Sequence, residues 1–288
     1  PFRAPTDNDA HSPLVLGKQN WFTKQYDHPK RTCLEVRQGN GVEEPSLTYT
    51  TAYQTEKDSF YVTVGLWQAG QNRIFIDCNV QSPADMLSPG RIGMTAILPV
   101  RFTAMKWYGK GPLETYPDRQ CGGRMGVYSE DVRNQPFYLR PQEYGLHTES
   151  RSMRLTDPDR ADFIRFEAAC PMAMSAVPYS DLQLWNARHP HELPAPEALY
   201  VHLDYAHRGL GNSSCGPDAL PTYRIDDRPC RFGFALEAGL GEREDNPFGP
   251  IPEEIPAYHP WKAVGEQDRT PSYRDPSDPD QRSNAGMV

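Results

Sequence analysis

Apolar and polar positions alternate most clearly between residues 46 and 105. Ser59 to Trp67 sets Phe60, Val62, Val64 and Leu66 against Tyr61, Thr63, Gly65 and Trp67. A period of two is that of a strand, and here both faces are apolar enough to be covered. Ser46 to Thr55 alternates as well and is rich in Thr and Tyr. Ala69-Gly70-Gln71-Asn72 reads as a hairpin turn and Arg73 to Val80 as the returning strand. Arg91 to Trp107 holds one or two more strands, and others follow at Asp162 to Ala168, Leu199 to Tyr205 and Cys230 to Leu236. Short strands joined by turn-rich segments predict an antiparallel all-β sandwich. Helical signals are scarce. Ser180-Asp181-Leu182-Gln183 has capping-box spacing and predicts a short helix through Ala187; Asn20 to Tyr26 is a second candidate.

Composition agrees with this picture. The 288 residues include 29 prolines, about twice the usual share, which a mostly helical chain would not tolerate. Fifteen tyrosines, eleven phenylalanines and five tryptophans supply a core. Near Ala238 the pattern changes: residues 238–288 hold eight prolines, ten acidic and five basic residues and almost no periodicity. We read residues 1–237 as the folded domain and 238–288 as a Pro-rich, acidic, disordered tail. A net charge of −8 argues against a nucleic-acid binder, which needs a basic face. The longest apolar run, about Ala96 to Val100, falls far short of a membrane helix. The six cysteines show no metal-binding or paired spacing and read as free thiols in a reducing, cytoplasmic setting. The chain opens on Pro1 without a charged-then-apolar leader, as a piece of a longer or processed chain would.

Three polar segments stand out. Arg3-Ala4-Pro5-Thr6-Asp7-Asn8-Asp9 is a stiff loop. Its Asx side chains either bond their own backbone or present carboxylates and an amide to a polyhydroxylated ligand. Trp107 to Arg119 (WYGKGPLETYPDR) places aromatic rings beside Glu114, Asp118 and Arg119, which suits sugar stacking or a packed, ion-paired turn. His207 to Asp218 holds three glycines, Asn212, Ser213, Ser214 and Cys215 in one loop. His189 and His191, between prolines, read as surface residues rather than metal ligands. Glycoside hydrolysis uses two carboxylates about 5–5.5 Å apart for retention, wider for inversion. Asp7, Asp9, Glu114, Asp118, Glu143 and Glu149 are candidates, and no spacing singles out a pair.

Together these segments resemble the C-terminal domain of family 2 β-galactosidases, which in some bacteria is a separate small subunit. The family pattern runs RAPxDND, WYGxGPxENYPDR, PQExG, a strand, a GxG loop and SCGP. This chain has Arg3–Asp9, Trp107–Arg119, Pro141-Gln142-Glu143-Tyr144-Gly145, Leu203-Asp204, Gly209-Leu210-Gly211 and Ser214-Cys215-Gly216-Pro217, in that order, over residues 1 to about 237. It departs from the pattern at Thr115, where the family usually has Asn, and at Cys215, where some members carry a stacking Trp.

The resemblance implies a large antiparallel super-sandwich similar to the galactose mutarotases, here missing its N-terminal strands. It also implies that the catalytic glutamates and the Mg/Na ligands sit on a TIM barrel outside this chain. The chain itself would then carry no catalytic residue, metal or cofactor and would be inactive in isolation. Its partners would be a β-galactosidase catalytic domain or large subunit, in cis or in trans, and the β-galactoside, within an oligomer and with no nucleic acid or membrane. The implied substrate-side residues are Asp7, Asn8 and Asp9, gating or hydrogen-bonding at the entrance, and Asn212, Ser214 and Cys215, with Cys215 on the leaving-group side. Glu114, Tyr116, Asp118 and Arg119 are expected to hold structure together instead. The alternative is a stand-alone carbohydrate-binding or regulatory module. Mutarotase-like epimerisation would need a His, from among His147, His202 and His207, beside an acid in one sugar pocket.

Overall fold

The computed structural model describes residues 1–56, 58–136, 138–211 and 217–241. Asn212, Ser214, Cys215 and nearly all of the acidic tail lie outside the described residues. Among the described residues, eleven strands form one antiparallel system: β1 (Lys30–Gln38), β2 (Leu47–Gln54), β3 (Ser59–Gln68), β4 (Arg73–Gln81), β5 (Arg91–Pro99), β6 (Ala104–Gly111), β7 (Arg124–Asp131), β8 (His147–Thr156), β9 (Phe163–Val177), β10 (Ala198–His207) and β11 (Cys230–Gly239). The main path runs β1-β2-β3-β4-β11-β9-β8-β6-β7. The long β9 does double duty. Its first half, Phe163–Ala168, pairs with β11 and β8, while Ala173–Val177 pairs with β10, which in turn pairs with β5.

The strands expected from alternation are present with shifted ends, as is the mainly antiparallel β class. The apolar cluster between the strands buries Val64, Ile76, Met105, Trp107, Met153, Leu155, Phe166, Met174, Leu203 and Phe234, and a second gathers Phe2, Leu14, Trp21, Tyr26 and Phe60. Each such side chain contributes about 1.5–3 kcal/mol by leaving water. The cysteines at 33, 78, 121, 170 and 230 are free thiols, as expected. Among the described residues no helix is long and apolar enough to cross a membrane.

Three strands do not show in the alternation. β1 (KRTCLEVRQ) is exposed along most of its length and pairs on one side only, so nothing forces alternation on it. β7 is the opposite edge, with Met125 and Val127 exposed. β8 (HTESRSMRLT) reads as polar yet is mostly buried between β6 and β9. Two of its hydroxyls are satisfied internally: Thr148 Oγ1 meets Thr115 Oγ1 at 2.9 Å, and Ser150 Oγ donates to the His147 carbonyl at 2.8 Å. Hydroxyl pairs of this kind remove the cost of burying polar groups. Gly109 of β6 faces this strand closely. A Cβ there would come within 2.8 Å of the Ser150 Cα.

The short helix α3 (Asp181–Asn186) forms where its capping box predicts, with Ser180 and Gln183 capping reciprocally. The helix candidate at Asn20–Tyr26 is instead a run of turns. Asn20 Oδ1 accepts from the amides of both Phe22 and Thr23 at 2.9 Å, and Gln25 adopts φ 58°, which ends any helical course. The stiff loop near the N-terminus contains two helical turns, α1 (Asp7–Ala10) and α2 (Pro13–Leu16), capped by Thr6 and Ser12.

Candidate functional site

The four motif segments, scattered in sequence, converge around two buried arginines. Arg3 is fully buried and grips Asp9 through both terminal and inner nitrogens, at 2.8–3.1 Å. Its remaining donors reach the carbonyls of Arg208 (2.6 Å) and Gly209 (2.9 Å). Asp9 in turn accepts from the Thr6 amide at 3.0 Å, closing the capping box of α1. Arg3 thus ties the first motif to the third, and a planar five-donor fork is what such a junction needs.

The Pro141–Gly145 segment fastens the same loop from the other side. Gln142 Oε1 accepts from the Asp7 amide at 3.0 Å, and its Nε2 donates to Asp7 Oδ2 at 3.1 Å. Asn8 Nδ2 donates to the Leu210 carbonyl at 3.1 Å. Asp118 of the second motif accepts from the amides of Leu210 (2.9 Å) and Gly211 (2.8 Å). Gly211 sits at φ +103°, and a Cβ on it would come within 2.8 Å of Asn8 Nδ2, so the close approach of the two loops requires glycine there.

Beneath the loop, Arg91 of β5 stands among three carboxylates. Its Nη2 lies 2.5 Å from Glu143 and 3.0 Å from Asp181, and its Nη1 is 3.8 Å from Asp204. Burial would push the Glu143 carboxyl up; Arg91 and the nearby His207, 3.5 Å away, outweigh it and hold it at about 2. Asp204 goes the other way. Burial, only partly offset by the more distant guanidinium, raises it to about 7. Burial also holds His202 and His207 below the usual histidine value. One guanidinium cannot fully neutralise three carboxylates, so the innermost keeps its proton near neutral pH.

Of the residues expected at the substrate side, Asp7 is half-buried at the rim, Asn8 lies just beneath it, and Asp9 faces inward with its carboxylate committed to Arg3. Asn212, Ser214 and Cys215 fall outside the described residues. The second motif does hold structure together. Glu114 accepts from Arg119, Tyr138 Oη and the Gly145 amide, the last at 2.8 Å, while Tyr116 is fully buried edge-on to His207. Sequence reading missed Arg91, Asp181 and Asp204 as partners. They lie on three separate elements, and only the Arg-Glu-Asp composition of the motifs hinted at an ionic hub. Among the described residues no three His, Cys, Asp or Glu side chains are grouped to hold a metal ion.

Comparison by sequence with known proteins points to one family. Residues 1–236 match the family described as beta galactosidase small chain. The β-galactosidase of Staphylococcus xylosus is 27% identical over 82% of this chain and 23% of its own length. That of Arthrobacter sp. strain B7 is 29% identical, over 78% of this chain and 24% of its own. The β-galactosidase BgaC of Bifidobacterium adolescentis reaches 30% identity over 73% of this chain and 20% of its own length. The chain therefore spans about a quarter of the length of the curated relatives it matches. Among solved structures, a putative aldose 1-epimerase from Escherichia coli K12 superposes at a TM-score of 0.37 and 8% identity, covering 73% of this chain and 69% of that one. The match across 1–236 takes in β1 to β10, most of β11 and the motif segments of the sequence, and on that ground the chain belongs to the β-galactosidase small chain family.

Proposed function

We propose that this chain closes one wall of a β-galactosidase active site whose acid and nucleophile stand on a separate catalytic domain, in the same polypeptide or on a partner subunit. The observation that carries the reading is the clamping of residues 3–9. Arg3, Gln142 and the Leu210 carbonyl hold the loop from three sides and leave Asp7 at its rim, with Asn8 buried just beneath it. Polar groups fixed on a rigid support lose little entropy when they meet a polyhydroxylated ligand. Asp7 and Asn8 are the groups we assign to the substrate side, with Asn212, Ser214 and Cys215 of the neighbouring loop. Asp9 is a positioning residue, acting through Arg3.

Glycoside hydrolysis needs a carboxylic acid and a carboxylate flanking the scissile bond. Three buried or half-buried carboxylates, Glu143, Asp181 and Asp204, surround Arg91 beneath the loop. A carboxylate spent on a buried guanidinium is a poor nucleophile, and the reading gives this chain neither chemical role. Its contribution is shape, water exclusion and orientation at the mouth of the site.

The test is hydrolysis of a chromogenic β-galactoside by the purified chain, alone and mixed with a β-galactosidase catalytic fragment lacking this region. Activity in the mixture only is expected. Activity of the chain alone would overturn the assignment of the chemistry to a partner. Silence in both from a folded chain would overturn the completing role in favour of a stand-alone carbohydrate-binding or regulatory module.

A further inference from the structure

A cavity of about 690 Å³ opens between the connection from β6 to β7 and the segment leading into β8. It lies within the usual size range of small-molecule sites, roughly 300–1,000 Å³. Its floor is His147, the first residue of β8, which is 1% exposed. The imidazole lies flat on Trp107, with ring centroids 3.9 Å apart, so its orientation is set by packing. Neither ring nitrogen makes a hydrogen bond among the described residues; Nε2 lies 3.5 Å from Glu130 Oε1. The same Glu130 oxygen accepts from Gln135 Nε2 at 2.8 Å, while Gln135 Oε1, also buried, has no hydrogen-bond donor among the described residues. All three side chains line the cavity, with Tyr138 and Leu113 on its wall.

Buried polar atoms without partners are costly, at about 1–3 kcal/mol each, and here two such side chains converge on one space. Their demands are mixed. A neutral imidazole offers one donor and one acceptor, Gln135 Oε1 needs a donor, and Glu130 accepts. An anion brings only acceptors and meets the Glu130 carboxylate. A cation brings only donors and leaves the imidazole N–H unmet. Vicinal hydroxyls supply both on neighbouring atoms, and their C–H faces suit the tyrosine and leucine wall. The remaining charges are already matched or committed: Glu114 is paired with Arg119, and Asp118 caps two amides.

From this geometry we infer that the cavity is a binding site for one neutral pyranose, held by His147, Gln135 and Glu130. The inference does not depend on the proposed function. Its assay contains no catalytic domain, so a failure of hydrolysis leaves it standing, and a failure of binding leaves the completing role standing.

The test uses the full chain with methyl β-D-galactopyranoside and methyl β-D-glucopyranoside, and inorganic phosphate and methylammonium as charged probes. Saturation-transfer NMR reads binding. A second readout is alkylation of Cys121, an exposed thiol on the cavity lining, against Cys33 on β1 as an internal control. Saturable binding of at least one glycoside is expected, with slowed alkylation of Cys121 and unchanged alkylation of Cys33. Gln135→Ala should weaken binding at least fivefold, and His147→Asn should do so as well, each with an unchanged far-UV spectrum. A folded chain that binds neither glycoside would overturn the inference. So would binding of a charged probe in place of the glycosides, or binding lost with Asn8→Ala but kept with Gln135→Ala, which would put the sugar at the loop rim.

Discussion

Replacing Arg91 by methionine removes the guanidinium that lies within 4 Å of Glu143, Asp181 and Asp204 while keeping most of the side-chain volume. Two unit charges about 4 Å apart interact by about 4 kcal/mol at an effective dielectric of 20. Stripping one partner from a buried ion pair costs about 3–5 kcal/mol, because the other charge stays uncompensated. An exposed pair such as Arg133–Asp131, by contrast, is screened by water and contributes little. Against a typical domain stability of about 5–15 kcal/mol, Arg91→Met should therefore forfeit a large share. Arg91→Lys should fall between, since it keeps the charge and loses the fork.

The pH dependence sharpens this expectation. In the parent protein the folded Glu143 sits at about 2, below its unfolded value near 4.5. Its contribution is present above about 4.5 and is lost as pH falls toward 2, for about 3 kcal/mol in all. Without Arg91, burial raises the same carboxyl above its unfolded value. The variant then loses stability as pH rises and regains it on acidification, so the gap to the parent is widest near pH 7.5 and narrows toward pH 4. Urea unfolding followed by the fluorescence of the buried Trp21 and Trp107 measures this. A loss below about 1 kcal/mol at pH 7.5, or a gap that widens on acidification, would refute the hub.

Other outcomes rest on the same geometry. Asp204, raised to about 7 by burial, contributes stability that is full below about pH 4 and lost as pH rises through 7; Asp204→Asn should flatten the stability profile between pH 4 and 8, read by thermal unfolding. Asp118→Ala strips the caps from two amides and should cost about 2 kcal/mol, with faster hydrogen exchange at Leu210 and Gly211 and little change at β11. Gly109→Ala would press a methyl onto the Ser150 backbone and should destabilise by about 1–3 kcal/mol in urea unfolding.

Much of the sheet could be read from alternation because β3, β4, β10 and β11 bury much of their length against apolar neighbours, and β2 is half-buried beside β3. β8 could not. Its buried positions are filled by Ser, Thr and His, which only become acceptable inside once Thr115, β6 and β9 supply partners from elsewhere in the chain. The edges β1 and β7 were hidden for the opposite reason, as exposure on their outer side relaxes any pattern. The capping box at Ser180 was legible because its bonds are local. The Asn20 turn was not, since an Asn can cap a helix or close a turn, and the residues after it decide between the two.

The sequence by itself determined the fold class, the short capped helix and the four ordered motifs that mark the family, because each rests on periodicity or on residues close together in the chain. Which motif residue does what was decided only by the tertiary structure. Asp7, Asn8 and Asp9 look alike in sequence. Folding turns Asp9 inward onto Arg3 and leaves Asp7 at the rim, while Glu143, 52 positions from Arg91, becomes its closest partner. Likewise His147, Glu130 and Gln135 meet in one cavity only because β6 seats β7 on one side and β8 on the other. Burial and charge pairing act between residues distant in sequence, and the register of the strands sets which of them meet.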